Sequence, residues 1–98
     1  MQTLKLDRYV VDTLMPDLVG HDKRPSALLV YLFLWAQSEA RGRSASASLR
    51  EIAEGTGLSK RGVQDGMRVL IKRRLVSRSQ PKPTAIATFE VLRPWRRR

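Results

Sequence analysis

Hydrophobic positions change their period along the chain, and each change predicts a different element. Residues 1–25 read as an amphipathic extension anchored by Leu6, Tyr9, Val10, Leu14, Leu18 and Val19, with Pro16 breaking or restarting a helix. A polar turn, GHDKRPS, follows, and its Pro25 suits the first turn of a helix running through about Ala40. The centre of that helix, Leu28 to Trp35, is apolar all round. Such a helix is buried on several sides, so one face is expected on the following helices and the other on the N-terminal extension or another subunit. ARGRSASAS, residues 40–48, is loop by composition, with room for a short strand at 44–47.

Residues 48–76, SLREIAEGTGLSKRGVQDGMRVLIKRRLV, predict two short helices around a tight turn. Ser48 and Glu51 form a Ser-x-x-Glu capping box, in which each side chain satisfies an otherwise orphaned backbone donor. Leu49, Ile52 and Ala53 then share a face, the turn holds Gly55 and Gly57, and Ser59 caps the second helix after the buried-looking Leu58. At about 100° per residue, Val63, Met67 and Leu70 cluster on one side of that helix, flanked by Val69 and Ile71. Arg61, Gln64, Asp65, Arg68 and Lys72 lie opposite. These residue types pair with base edges and phosphates in a major groove, although an ordinary solvated helix face has a similar composition.

The pattern then switches to strands. LVSRSQ and AIATFEVL are strand-like, with Ala87, Phe89 and Val91 alternating against Thr88 and Glu90. PKPT between them stiffens a hairpin tip, from which Arg78, Lys82 and Thr84 are expected to project as a basic wing.

Charge sharpens this picture. Residues 1–59 hold seven Lys/Arg and seven Asp/Glu, whereas residues 60–98 hold twelve Lys/Arg against Asp65 and Glu90, so the net charge of +10 resides in the C-terminal part. That is the footprint of a polyanionic partner. A membrane surface would answer the same charge, but the basic residues lack the large apolar face of an interfacial helix. Arg41 and Arg43 suit either phosphate contacts or loop solubility.

Ninety-eight residues with 42% hydrophobic content make one domain with a modest core. The absence of cysteine removes disulfides and thiolate metal sites and fits a reducing cytosol. ALLVYLFLWA, residues 27–36, is too far into the chain for a signal peptide and about half the length of a bilayer span. Catalysis, metal and cofactors find little support: His21 is the lone histidine, in a polar turn. Asp7, Asp12, Asp17 and Asp22 recur at a spacing that does not keep them on one α-helical face, and no Gly-x-x-x-x-Gly-Lys motif occurs. In the tail RPWRRR, residues 93–98, Arg96, Arg97 and Arg98 suit a phosphate backbone or a minor groove. The plainer expectation packs Trp95 on the sheet edge with the arginines disordered.

At this point the chain resembles the winged helix-turn-helix family of bacterial DNA-binding proteins over about residues 26–92. LREIAEGTGLSKRGVQDGMRVLIKRRLV followed by a short hairpin carries the resemblance, with Ala53 four places before Gly57 and Val63 six after it. It implies a mainly α fold: a three-helix core, a two- or three-stranded sheet with a wing, and a recognition helix at about 59–73. It further implies sequence-specific binding of double-stranded DNA by a cytoplasmic, nucleoid-associated transcriptional regulator, as a homodimer on an inverted repeat. By position in the motif, Ser59, Lys60, Arg61, Gln64 and Arg68 would contact bases. Lys72, Arg78, Lys82, Thr84 and the tail arginines would contact the backbone. A plasmid or phage replication initiator and a protein-interaction module on the same fold are the alternatives. Two departures stand out: Arg74 occupies a position where the family often has glycine, and Gly62 and Gly66 lie inside the recognition helix. The glycine stripe suits either close packing of another helix or close approach of nucleic acid.

Overall fold

The computed structural model describes residues 2–42 and 44–96. Two π-helical segments, Val10–Leu14 and Pro16–His21, lead into α1 (Pro25–Arg41), β1 (Ser44–Ser46), α2 (Leu49–Thr56), α3 (Lys60–Lys72), β2 (Val76–Ser79) and β3 (Thr88–Val91). The strands form an antiparallel sheet in the order β1-β3-β2, with Ala45 opposite Phe89 and Arg78 opposite Phe89 on the other side. Three α-helices and this small antiparallel sheet have the architecture of a winged helix-turn-helix.

Each boundary has a local cause. Ser48 Oγ accepts from the Glu51 N–H at 3.1 Å while the Ser48 N–H donates to Glu51 Oε1 at 2.8 Å, completing the predicted capping box of α2. Gly57, at φ +83°, is the left-handed residue that ends α2, its N–H donating to the Ala53 carbonyl at 2.9 Å. Gly55, expected in the turn, is instead helical. It is small because the Phe33 ring of α1 lies where a Cβ would be. Ser59 caps α3 by accepting from the Gly62 N–H at 3.0 Å.

At the far end of α3 the Leu75 N–H donates to the Leu70 carbonyl at 2.9 Å and the Arg74 N–H to the Ile71 carbonyl at 3.0 Å. This is a Schellman turn, and it needs a left-handed residue at position 74. Arg74 takes φ +58°, so the chain keeps the turn without the usual glycine and bears strain on the order of 1 kcal/mol.

α1 is the hub of the core. Ala27, Leu28, Val30, Tyr31, Leu34 and Trp35 are all buried, and α1 packs on α2, α3, the sheet and the second π-helical segment. The other face is thus covered from within the chain, and Leu29, 41% exposed, is the large apolar residue of α1 left outside. Gly66 explains the close approach of α1 and α3: a Cβ there would lie 2.8 Å from the Ser26 carbonyl oxygen. Gly62 has only its own N-terminal neighbours Leu58 and Ser59 nearby, so the two glycines do not act as one stripe.

The N-terminal segment buries Val10, Leu14 and Leu18 in a row of spacing four; Val19 is left exposed, contrary to its expected anchoring role, whereas Tyr9, exposed on one side, packs its ring on Trp95. In this π-helical geometry the Asp22 N–H reaches the Asp17 carbonyl five residues back, at 2.8 Å. Spacing of five therefore brings those two carboxylates to one side, which α-helical reasoning excluded. Both face Arg73, whose Nε and Nη2 bond Asp22 at 2.6 and 2.9 Å while Nη1 lies 3.9 Å from Asp17.

The C-terminal tail docks on the same layer. Trp95 does not lie on the sheet edge: it stacks on Tyr9 with ring centroids 4.6 Å apart and on Trp35 at 6.3 Å. Its indole N–H donates to Asp7 at 2.8 Å, and Arg96 bonds the same carboxylate through two nitrogens at 2.6 and 2.7 Å. Arg93 lies 4.0 Å over the Trp35 ring and pairs with Glu39 at 3.3 Å. Arg97, Arg98 and Arg43 lie outside the described residues.

Candidate nucleic-acid interface

Amphipathicity sets the outward face of α3. Val63, Met67 and Leu70 turn inward with Gly66, which leaves Lys60, Arg61, Gln64, Arg68 and Lys72 exposed. Ser59 is exposed too, though its hydroxyl is engaged as the helix cap. Asp65, half-buried, sits among them: one oxygen is 3.2 Å from Arg68 Nη1 and the other 3.8 Å from Arg61 Nε.

The hairpin brings its own polar groups alongside. Arg78, exposed on β2, donates to Gln80 Oε1 at 2.5 Å. The Gln80 amide nitrogen in turn donates to the carbonyls of Pro83 at 3.1 Å and Ala85 at 2.7 Å, which holds the loop between the strands in one shape. Lys82 and Thr84 are exposed at the tip of that loop.

Between α3 and the hairpin runs a groove of about 550 Å³. Gln64 and Arg68 line it from α3, Arg78 and Gln80 from the hairpin, and Ile71 and Ile86 supply apolar walls. The structure therefore gathers Gln64, Arg68 and Arg78 at one place. Ser59, Lys60 and Arg61 lie N-terminal to the groove on the α3 face, and Lys72 lines a separate hollow with Asp22, Arg24, Val69 and Arg73. Ile71 was expected to flank the core but is 40% exposed, and Ile86 is 58% exposed. The signal for Ile86 was present in the strand alternation, since Ala87, Phe89 and Val91 point inward and the even-numbered position before Ala87 must point out.

Cations near the N-terminal segment are in a different electrostatic state. Hydrogen bonds from Arg96 hold the Asp7 carboxyl down at about 2, with the Trp95 N–H adding to the effect against the cost of burial. Arg73 does the same for Asp22, also at about 2, with help from His21. Arg73 and Arg96 are pushed up by the same bonds. Arg96, expected to be free for a phosphate backbone, is thus committed to an internal carboxylate. Glu51 is held below its usual range by the Ser48 backbone N–H, which belongs to the helix cap.

Among the described residues, no group of three His, Cys, Asp or Glu side chains could hold a metal ion. No helix among them is long and apolar enough to cross a membrane. Residues 21–76, more than half of the chain, match the family described as a helix-turn-helix domain. No curated protein and no solved structure gives a significant match.

Proposed function

The chain belongs to the helix-turn-helix domain family, a membership that suggests DNA binding, and from that premise we propose that it is a sequence-specific transcriptional regulator acting on double-stranded DNA. In this reading α3 enters the major groove and the β2–β3 hairpin rests on the flanking backbone. The observation that carries it is the convergence of Gln64, Arg68 and Arg78 on one groove between α3 and the wing. Arg61, Gln64 and Arg68 read base edges, supported at the helix start by Ser59 and Lys60. Lys72, Arg78, Lys82 and Thr84 fix the register on phosphates.

A second copy completes the assembly. Val11, Met15 and Val19 form an exposed apolar row beside the buried Val10, Leu14 and Leu18, on a segment outside the basic half of the chain. Self-association of a chain with net charge +10 is least opposed there. A homodimer built on that row presents two α3 helices to an inverted repeat.

Selection of bound duplexes from a random pool at near-physiological salt tests the reading, and a palindromic motif is the expected product. Arg61→Ala should then relax the sequence preference. Lys82→Ala should weaken all duplexes alike and reduce the salt slope by about one. No enrichment, together with unchanged binding in both variants, would overturn the proposal. Enrichment of iterated direct repeats would move the job from promoter to replication origin.

A further inference from the structure

Asp65 is the one acid on α3, placed in the middle of its cationic face, and the DNA reading above assigns it no role. It contributes little as a helix-surface ion pair, because exposed pairs of this spacing are weak. Its geometry is more specific than that. Arg61 and Arg68 are 86% and 75% exposed at their side chains, whereas Asp65 is 31% exposed, so a recessed carboxylate lies beneath two outstretched guanidinium groups. Each of its oxygens faces one arginine, Oδ1 towards Arg68 and Oδ2 towards Arg61.

We propose that Asp65 is a specificity-determining positioning residue of the α3 face, setting Arg61 and Arg68 for base edges and disfavouring their use on phosphates at large. The inference rests on the DNA-binding reading. An arginine that leaves Asp65 for a phosphate exchanges one anion for another, and the abandoned carboxylate then faces the phosphate backbone unpaired. A guanine edge imposes neither cost. Its O6 and N7 accept two parallel N–H bonds without bringing a negative charge, so a guanidinium can keep one edge on Asp65 and present another to the base. The carboxylate also biases the direction of Arg68, which donates to it at 3.2 Å, and by charge alone that of Arg61 at 3.8 Å, which lowers the ordering cost of a correct complex. On a chain whose net charge of +10 attracts any duplex, one central negative charge lowers the common background that every sequence shares.

The test compares the selected motif with a random duplex of the same length, each titrated across a salt series, for the unaltered chain, Asp65→Asn and Asp65→Glu. Circular dichroism and thermal melts first establish that all three are equally folded. Asp65→Asn is expected to bind the random duplex about tenfold more tightly, with a salt slope steeper by about one. Its affinity for the motif should change less than about threefold, so the specificity ratio falls roughly tenfold. Asp65→Glu, which keeps a carboxylate within reach of both arginines, should retain the ratio to within about threefold. If the ratio is unchanged in Asp65→Asn, or both duplexes gain equally, Asp65 is only a background charge and the inference fails while the DNA reading stands. If Asp65→Glu loses the ratio as Asp65→Asn does, the pairing argument fails. An unaltered chain that binds no duplex in a salt-dependent way overturns both.

Discussion

Two sets of arginines on this chain have opposite fates. Arg61, Arg68 and Arg78 extend from α3 and the hairpin, exposed, with at most short-range partners on their own element. Arg73, Arg93 and Arg96 come from the same basic half of the sequence, but each is paired with an acid of the N-terminal half: Asp22 and Asp17, Glu39, and Asp7. The first set is available to an outside polyanion. The second works as internal fastening, joining the N-terminal segment, the end of α3 and the tail. The comparison teaches that a charge count along the sequence overstates the charge on offer, because part of it is neutralised across the fold.

If the two sets are separate, stability and duplex binding should come apart under mutation. The largest effect belongs to the aromatic stack on the fastened side: Trp35→Ala should lower unfolding free energy by about 3–5 kcal/mol, read by urea titration. Next, Gly66→Ala forces a Cβ against the Ser26 backbone, where nothing flexible can yield. A loss of about 1–3 kcal/mol is expected in the same titration, and an unchanged midpoint would show that α1 and α3 are less tightly joined than they stand here.

Asp22→Asn probes the fastening directly. With the Asp22 side chain 17% exposed, its pair with Arg73 should be worth on the order of 1–2 kcal/mol at neutral pH. The sign follows from the lowered pKa: the stabilisation is full above the ordinary carboxylate range near 4 and disappears as pH falls towards about 2. Melting temperature should therefore decline between about pH 4 and pH 2 in the unaltered chain, and less steeply in Asp22→Asn, with duplex affinity at neutral pH the same for both. A drop in affinity equal to that of an α3 variant would erase the distinction between the two sets. The smallest effect is a gain: Arg74→Gly relieves the left-handed strain and should stabilise by about 0.5–1 kcal/mol, visible as a small rise in melting temperature.

What could be read from the sequence was local. The capping box at Ser48 and Glu51, the Ser59 cap, the inward face of α3 and the alternation of β3 each depend on residues a few positions apart, and each is present. Arg74 stood out only as a departure from the glycine that the resembled family often has there; that it takes the left-handed angle itself is seen in the fold. The pairings of Arg73 with Asp22 and Arg96 with Asp7 were not, as they join residues 51 and 89 positions apart. Nor was the fate of the aspartates, because the α-helical rule used to separate them does not hold where the backbone hydrogen-bonds five residues back. Gly62 and Gly66 look alike as a stripe, yet only Gly66 meets another helix. On the candidate interface, the exposed face of α3 was readable. The groove was not, because Ile71 and Ile86 come together only once the hairpin has folded beside the helix.

Gln80 carries a kinetic consequence. Its amide ties the carbonyls of Pro83 and Ala85 and receives Arg78, so the loop carrying Lys82 and Thr84 holds its shape before any partner arrives. A contact surface already in its final shape needs no folding step after encounter. If duplexes are bound through this hairpin as proposed, association is expected to be limited by diffusion and orientation, and differences between sequences to fall on how long a complex lasts, not on how fast it forms.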